Sequence, residues 1–139
     1  MEKTFVIKIL EKKMNVPAEL SYTKTHEWVK KVKNKVYVGI TDYAQHEITD
    51  IVHVELPEIS KKFGKEQPCA VVESVKSAFD IYCPISGTIA EINEEVINAP
   101  ELINQSPYEK GYLFVLENVD EEDFKLLMNA EQYTKTIEG

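Results

Sequence analysis

Among the side chains able to do chemistry, one lysine stands apart. It is Lys76, in the stretch "AVVESVKSAFDIYCPISG" from Ala70 to Gly87. The flanking runs "CAVVES" and "FDIYCP" are rich in apolar residues and read as two strands of a hairpin. Tight hairpin turns favour glycine, asparagine or aspartate. Here the tip carries a primary amine on a flexible four-carbon stem. Fixed strands hold such an amine out at low entropic cost, where an attaching enzyme can reach it. An ordinary solvated turn lysine is the plain alternative, and composition taken alone favours it.

Other chemistry is sparse. His46 and His53 lack the i, i+4 spacing that puts two ligands on one helix face, and His26 is distant in sequence, so no metal site is expected. No glycine-rich phosphate loop and no G-x-S-x-G nucleophile elbow is present. Glu94, Glu95 and the run Asp120 to Asp123 suit helix starts better than acid–base catalysis. A displayed lysine without a catalytic constellation points to a carrier rather than an enzyme.

The two cysteines, Cys69 and Cys83, lie equally far from Lys76. A hairpin centred on Lys76 would set them face to face. A two-residue turn centred between Val75 and Lys76 would put them on opposite faces, and that geometry is the one expected. They are read as free thiols of a reducing compartment.

Positioning the lysine needs a small β scaffold. The chain has 139 residues, 43% of them hydrophobic, enough for a single core. Alternation marks strands in "HEWVKKV", "KVYVGI", "DIVHVELPEI", "GTIAEIN" and "GYLFVLE". Thr41 or Asp42 caps a short helix, Pro100 breaks "EEVINAPELIN", and Asp120 caps a tail helix with Phe124, Leu127 and Met128 as its apolar stripe. The segment from Thr4 to Leu10 fits a strand or a helix equally well. Net charge is −8, from 16 Lys plus Arg against 24 Asp plus Glu, which argues against nucleic acid and anionic membrane surfaces. Lys8 interrupts the apolar run of "MEKTFVIKIL", so neither a signal peptide nor a membrane span is expected. The expectation is a cytoplasmic protein.

Five blocks together resemble the glycine cleavage system H-protein family: "YTKTHEWV", "VGITDYAQ", "DIVHVELPEI", "AVVESVKSAFDIYCPISGTIAEIN" and "PELINQSPYEKGYLF". They occur in the family's order, between about Leu20 and Tyr133. The resemblance implies a mainly β fold, a hybrid barrel-sandwich lipoyl domain over residues 20–139 with short peripheral helices and a C-terminal helix. Residues 1–19 form an N-terminal extension. It implies lipoic acid in amide linkage to Lys76 and a monomeric, non-catalytic carrier. The carrier moves an aminomethyl group among glycine decarboxylase (P protein), aminomethyltransferase (T protein) and dihydrolipoyl dehydrogenase (L protein). It further implies that Thr25, Glu27 and Asp80 shape a cavity for the arm, and that a lipoate-attaching enzyme reads Glu73. Biotin sites place methionine on both sides of the lysine, which Val75 and Ser77 do not match. A second reading is a specialised H-like lipoate-binding protein serving a heterodisulfide-reductase-like sulfur-oxidation complex or another lipoyl system.

The chain departs from the family's usual pattern in several places. Thr49, Ser60 and Glu66 stand where glycine is common, so different loop conformations are expected there. Phe79 replaces a small residue close to the arm, and His46 and Tyr112 also differ.

Overall fold

The computed structural model describes residues 4–9 and 12–138. An antiparallel hairpin of β1 (Thr4–Ile9) and β2 (Lys12–Pro17) comes first, so the undecided segment is a strand over Thr4–Ile9, Leu10 lying outside the described residues. Next come β3 (Ser21–Tyr22), β4 (Glu27–Val32), β5 (Lys35–Ile40), helix α1 (Asp42–Ile48) and β6 (Ile51–Glu55). The short β7 (Lys62–Phe63) precedes the lysine hairpin of β8 (Pro68–Ser74) and β9 (Ala78–Tyr82). After β10 (Gly87–Ile92) follow α2 (Glu94–Asn98), α3 (Glu101–Gln105), β11 (Phe114–Glu117), α4 (Glu121–Phe124) and α5 (Ala130–Glu138).

Two sheets face each other, one ordered β3-β4-β5-β11-β10-β7 and one ordered β6-β8-β9. Alternation drives this packing. Val36, Val38 and Ile40 of β5 turn toward Val72 of β8, Ile81 of β9 and Phe114 and Leu116 of β11, all in one buried cluster. The barrel-sandwich with short helices read from the sequence is the architecture found.

β4 breaks the alternation. Glu27, Trp28 and Val29 are all buried, because both faces of the strand are covered. Val29 joins the main core. Trp28 turns the other way, into a second cluster with Met14, Val16, Leu20, Tyr22, Ala130 and Tyr133. Opposite Trp28 the ladder places Gly39, where any Cβ would lie 2.6 Å from Trp28 Cζ2. Only glycine leaves room for the indole there.

The helix starts follow the expected chemistry. Thr41 caps α1, its Oγ1 accepting from Ala44 N at 3.1 Å, and Asp120 caps α4 through Glu122 N at 2.9 Å. The tail is not one helix. α4 ends at Phe124, and Met128 instead makes a bridge to Tyr22 before α5 begins. Phe124 and Leu127 pack against the main core, whereas Met128 packs against the second. One apolar stripe is therefore shared between two cores, which a continuous helix could not do.

Three loops correct the sequence reading. Thr49, Ser60 and Glu66 keep positive φ, at 71°, 76° and 69°. The left-handed backbone is retained although glycine is absent, at a cost in strain. No helix among the described residues is long and apolar enough to cross a membrane.

Candidate functional site

The lysine hairpin has the turn centre expected from its sequence. Ser74 N donates to Ser77 O at 2.9 Å, leaving Val75 and Lys76 as the two turn residues. Below them Glu73 pairs with Ala78, Val72 with Phe79 and Val71 with Asp80. Lys76 is exposed and enters no hydrogen bond or ion pair among the described residues. Its amine is therefore free to react with an acyl donor. An acyl group on it starts beside a hollow of about 380 Å³ bordered by Glu47, Ile48, Asp50, Val75 and Phe79.

A second hollow of about 260 Å³ lies beyond. Thr25, His26, Ile40, Glu47, Phe79 and Asp80 are among its walls. Glu47, Ile48 and Phe79 border both spaces. The inner one is apolar along Ile40, Ala44, Ile48 and Ile81, with Glu47 and Asp80 as its acidic wall residues. That lining suits a flexible alkyl chain ending in a cationic amine.

Of the three cavity residues expected from the sequence, Thr25 and Asp80 meet at this hollow and Glu27 does not. Glu27 is 1% exposed and points between the sheets. Its Oε1 accepts from the hydroxyls of Thr23 and Thr25, and its Oε2 accepts from Tyr82 N at 3.2 Å. Burial pushes its carboxyl above the ordinary value, and the hydrogen bonds from Thr23, Thr25 and Tyr82 oppose that shift. Glu27 borders a separate hollow of about 290 Å³ with Lys24, Lys65, Tyr82 and Cys83. It reaches the arm side only through Thr25, which lines both spaces.

Two residues at the inner hollow were not singled out from sequence. His26 has φ 74°, a strained value for histidine, and its Nδ1 shares a 2.8 Å hydrogen bond with Tyr133 Oη of α5. Burial lowers its pKa, with Glu47 pulling the other way. Glu47 comes from α1, on the face that also presents Tyr43, Ala44 and Ile48. That i, i+3, i+4 spacing was the available signal.

Glu73 pairs with His53 across the β6–β8 ladder, and its carboxylate lies within 4.8 Å of ligand atoms of His53 and Glu55. The cysteines are not on opposite faces. A bulge between Pro68 and Ala70 turns Cys69 inward, against the main core that holds Cys83. The neighbouring Cys83 thiol and burial together push the Cys69 thiol up. Both cysteines are free thiols.

The glycine cleavage H-protein family model matches residues 20–139. The chain belongs to this family. The curated glycine cleavage system H protein of Endomicrobium trichonymphae is 63% identical over 124 residues, covering 89% of this chain and 100% of that protein. That of Halothermothrix orenii is 47% identical over 125 residues, covering 90% and 98%. The crystal structure of a glycine cleavage system H protein from Mycobacterium marinum superposes with a TM-score of 0.81 at 32% identity, covering 89% of this chain and 100% of that one. H proteins are lipoyl carriers, generally non-catalytic, which supports the glycine-cleavage reading over a specialised sulfur-oxidation one.

Proposed function

We propose that this H protein carries lipoic acid in amide linkage to Lys76 and serves the P, T and L proteins of a cytoplasmic glycine cleavage system. The observation that carries the reading is that the two hollows adjoin, sharing three wall residues. Lys76 borders the outer one, Asp80 and Thr25 the inner one, and Glu47, Ile48 and Phe79 border both. When bound, the lipoyl group supplies a dithiolane that opens and recloses by thiol–disulfide exchange.

The chain's own residues divide the remaining work. The two-residue turn presents the Lys76 amine to the lipoate-attaching enzyme, with Glu73 three residues away for that enzyme to read. Asp80 and Glu47 offer carboxylates to a cationic amine arriving in the inner hollow. Thr25 lines that hollow while its hydroxyl is fixed by Glu27, so its position is set before any arm arrives. Ile40 and Ile48 keep the wall apolar and water away from the loaded group. No side chain in this arrangement needs to form a bond to substrate. The division into an extension over residues 1–19 and a carrier domain over 20–139 is part of the proposal; the family match begins at residue 20.

Intact-mass measurement of the protein from its native cells tests the assignment. The expected result is one lipoyl adduct, lost in Lys76→Arg. No adduct, or one that survives that substitution, overturns it. Reconstituted glycine–bicarbonate exchange with P protein tests the partner set; full lipoylation without exchange would count against it.

A further inference from the structure

Phe79 has no part in the work just described, yet its position is unusual for a large apolar side chain. It pairs with Val72, which is wholly buried, and by alternation it continues the inward row of Ile81 and Cys83. Those residues are covered by the facing sheet. Phe79 stands beyond that cover, at the lysine end of the hairpin, and is 38% exposed. Its ring borders the outer hollow with Lys76 and the inner hollow with Thr25, His26 and Asp80. The other two shared wall residues, Glu47 and Ile48, come from α1 on the opposite side. The boundary between the hollows is thus formed by a helix on one side and by one aromatic ring on the other.

Two properties make the ring more than a wall. A phenyl group on a strand swings about two torsions without moving the backbone, so it can cover or uncover the boundary between the hollows. It also makes favourable contacts with sulfur and with alkyl chains, the two materials of a lipoyl arm. An arm running from Lys76 into the inner hollow would lie beside it.

Resting on the reading above, we propose that Phe79 is an arm-retaining residue that folds over the sulfur-bearing end of the loaded arm and holds it in the inner hollow. The cationic end is then held by the carboxylates and the sulfur end by the ring. Water is the reactant kept out. Spontaneous loss of the loaded group consumes one water; its carbon leaves as formaldehyde, its nitrogen as ammonium, and the sulfur regains its proton as a thiol. No electrons change hands in that hydrolysis.

The test uses the full lipoylated chain, unmodified in sequence and as Phe79→Leu, Phe79→Ala and Asp80→Ala. Proton NMR reads whether the arm's resonances near sulfur move upfield on loading and show Overhauser contacts to the Phe79 ring. Formaldehyde release from the loaded protein, without partner enzymes, reads retention, and thermal unfolding checks that each variant is folded. Contacts to the ring are expected in the unmodified protein. Release is expected to rise about three- to tenfold in Phe79→Ala, the scale of a lost sulfur–aromatic contact, and less in Phe79→Leu. Absence of ring contacts, or unchanged release in both Phe79 variants, overturns the proposal. If Asp80→Ala still accelerates release in that case, the cavity reading stands and the role of Phe79 alone falls. If Asp80→Ala is also silent and the arm touches neither residue, both fall.

Discussion

Tyr82 N donates a hydrogen bond to Glu27 Oε2 across the two sheets, joining residues 55 apart in sequence at 3.2 Å. The contact ties β9, the outgoing strand of the lysine hairpin, to β4 of the larger sheet. It also leaves a carboxylate almost wholly out of water. Burial raises the folded-state pKa of Glu27 above its ordinary 4.5, so the native protein holds that proton more tightly than the unfolded chain. Stability from this group is full below about the ordinary carboxylate value and is lost as pH rises through the higher folded value. Glu27→Gln cannot titrate. Denaturant unfolding from pH 4 to 7 should therefore show the stability of the unmodified protein falling relative to Glu27→Gln. A relative rise over that window would contradict the burial argument.

Asp80 is exposed and sits at the inner hollow, away from the attachment turn. Asp80→Ala should leave lipoylation of Lys76 unchanged and shorten the lifetime of the loaded form, read as formaldehyde release. An unchanged lifetime removes Asp80 from the arm's partners.

Thr49 ends α1 with φ 71° and ψ −150°, a conformation that glycine adopts easily and a β-branched residue does not. Its N–H still donates to Gln45 O at 3.0 Å, and its carbonyl accepts from Asn104 Nδ2 at 2.8 Å, so the loop is held against the strain. Thr49→Gly should stabilise the protein by roughly 1 kcal/mol and raise its melting temperature by about 3 °C. A lower melting temperature would show that the threonine side chain contributes more than the strain costs.

Cys69 and Cys83 are poor nucleophiles in this setting. Cys83 is fully buried and out of a reagent's reach, and the Cys69 thiol is pushed up by its neighbour and by burial, so Cys69 forms little thiolate near pH 7. A maleimide should label neither thiol in the native protein over the time that labels both in denaturant. Fast labelling of Cys69 in folded protein would show that the bulge opens readily.

Much of the fold was legible because its signals are local. The turn falls between Val75 and Lys76 as expected, and Thr41 and Asp120 are caps that their residue types announce. What was not legible depends on tertiary cover. Strict alternation put Cys69 and Cys83 on opposite faces, and a bulge, which alternation cannot reveal, brings both to the main core. Nothing in "HEW" says that both faces of β4 are covered, so the burial of Glu27 among Thr23, Thr25 and Tyr82 was not legible. His26 was set aside as one histidine among three, since its partner Tyr133 lies 107 residues away. The loops at Thr49, Ser60 and Glu66 kept glycine-like backbone because their surroundings, rather than their own residues, dictate it.

The second core has a consequence for synthesis. It gathers Met14, Val16 and Leu20 from near the start of the chain with Ala130 and Tyr133 from the last helix. Tyr133 also supplies the hydroxyl that meets His26 and Thr41, each at 2.8 Å. While a ribosome still holds α5, the second core lacks Ala130 and Tyr133 and His26 lacks its partner. The sandwich can close early, but the inner hollow gains its finished wall only after α5 leaves the exit tunnel. The lysine hairpin is complete some fifty residues sooner by the strand order in the chain, so an enzyme that reads only the turn would meet it before His26 and Thr41 have their α5 partner.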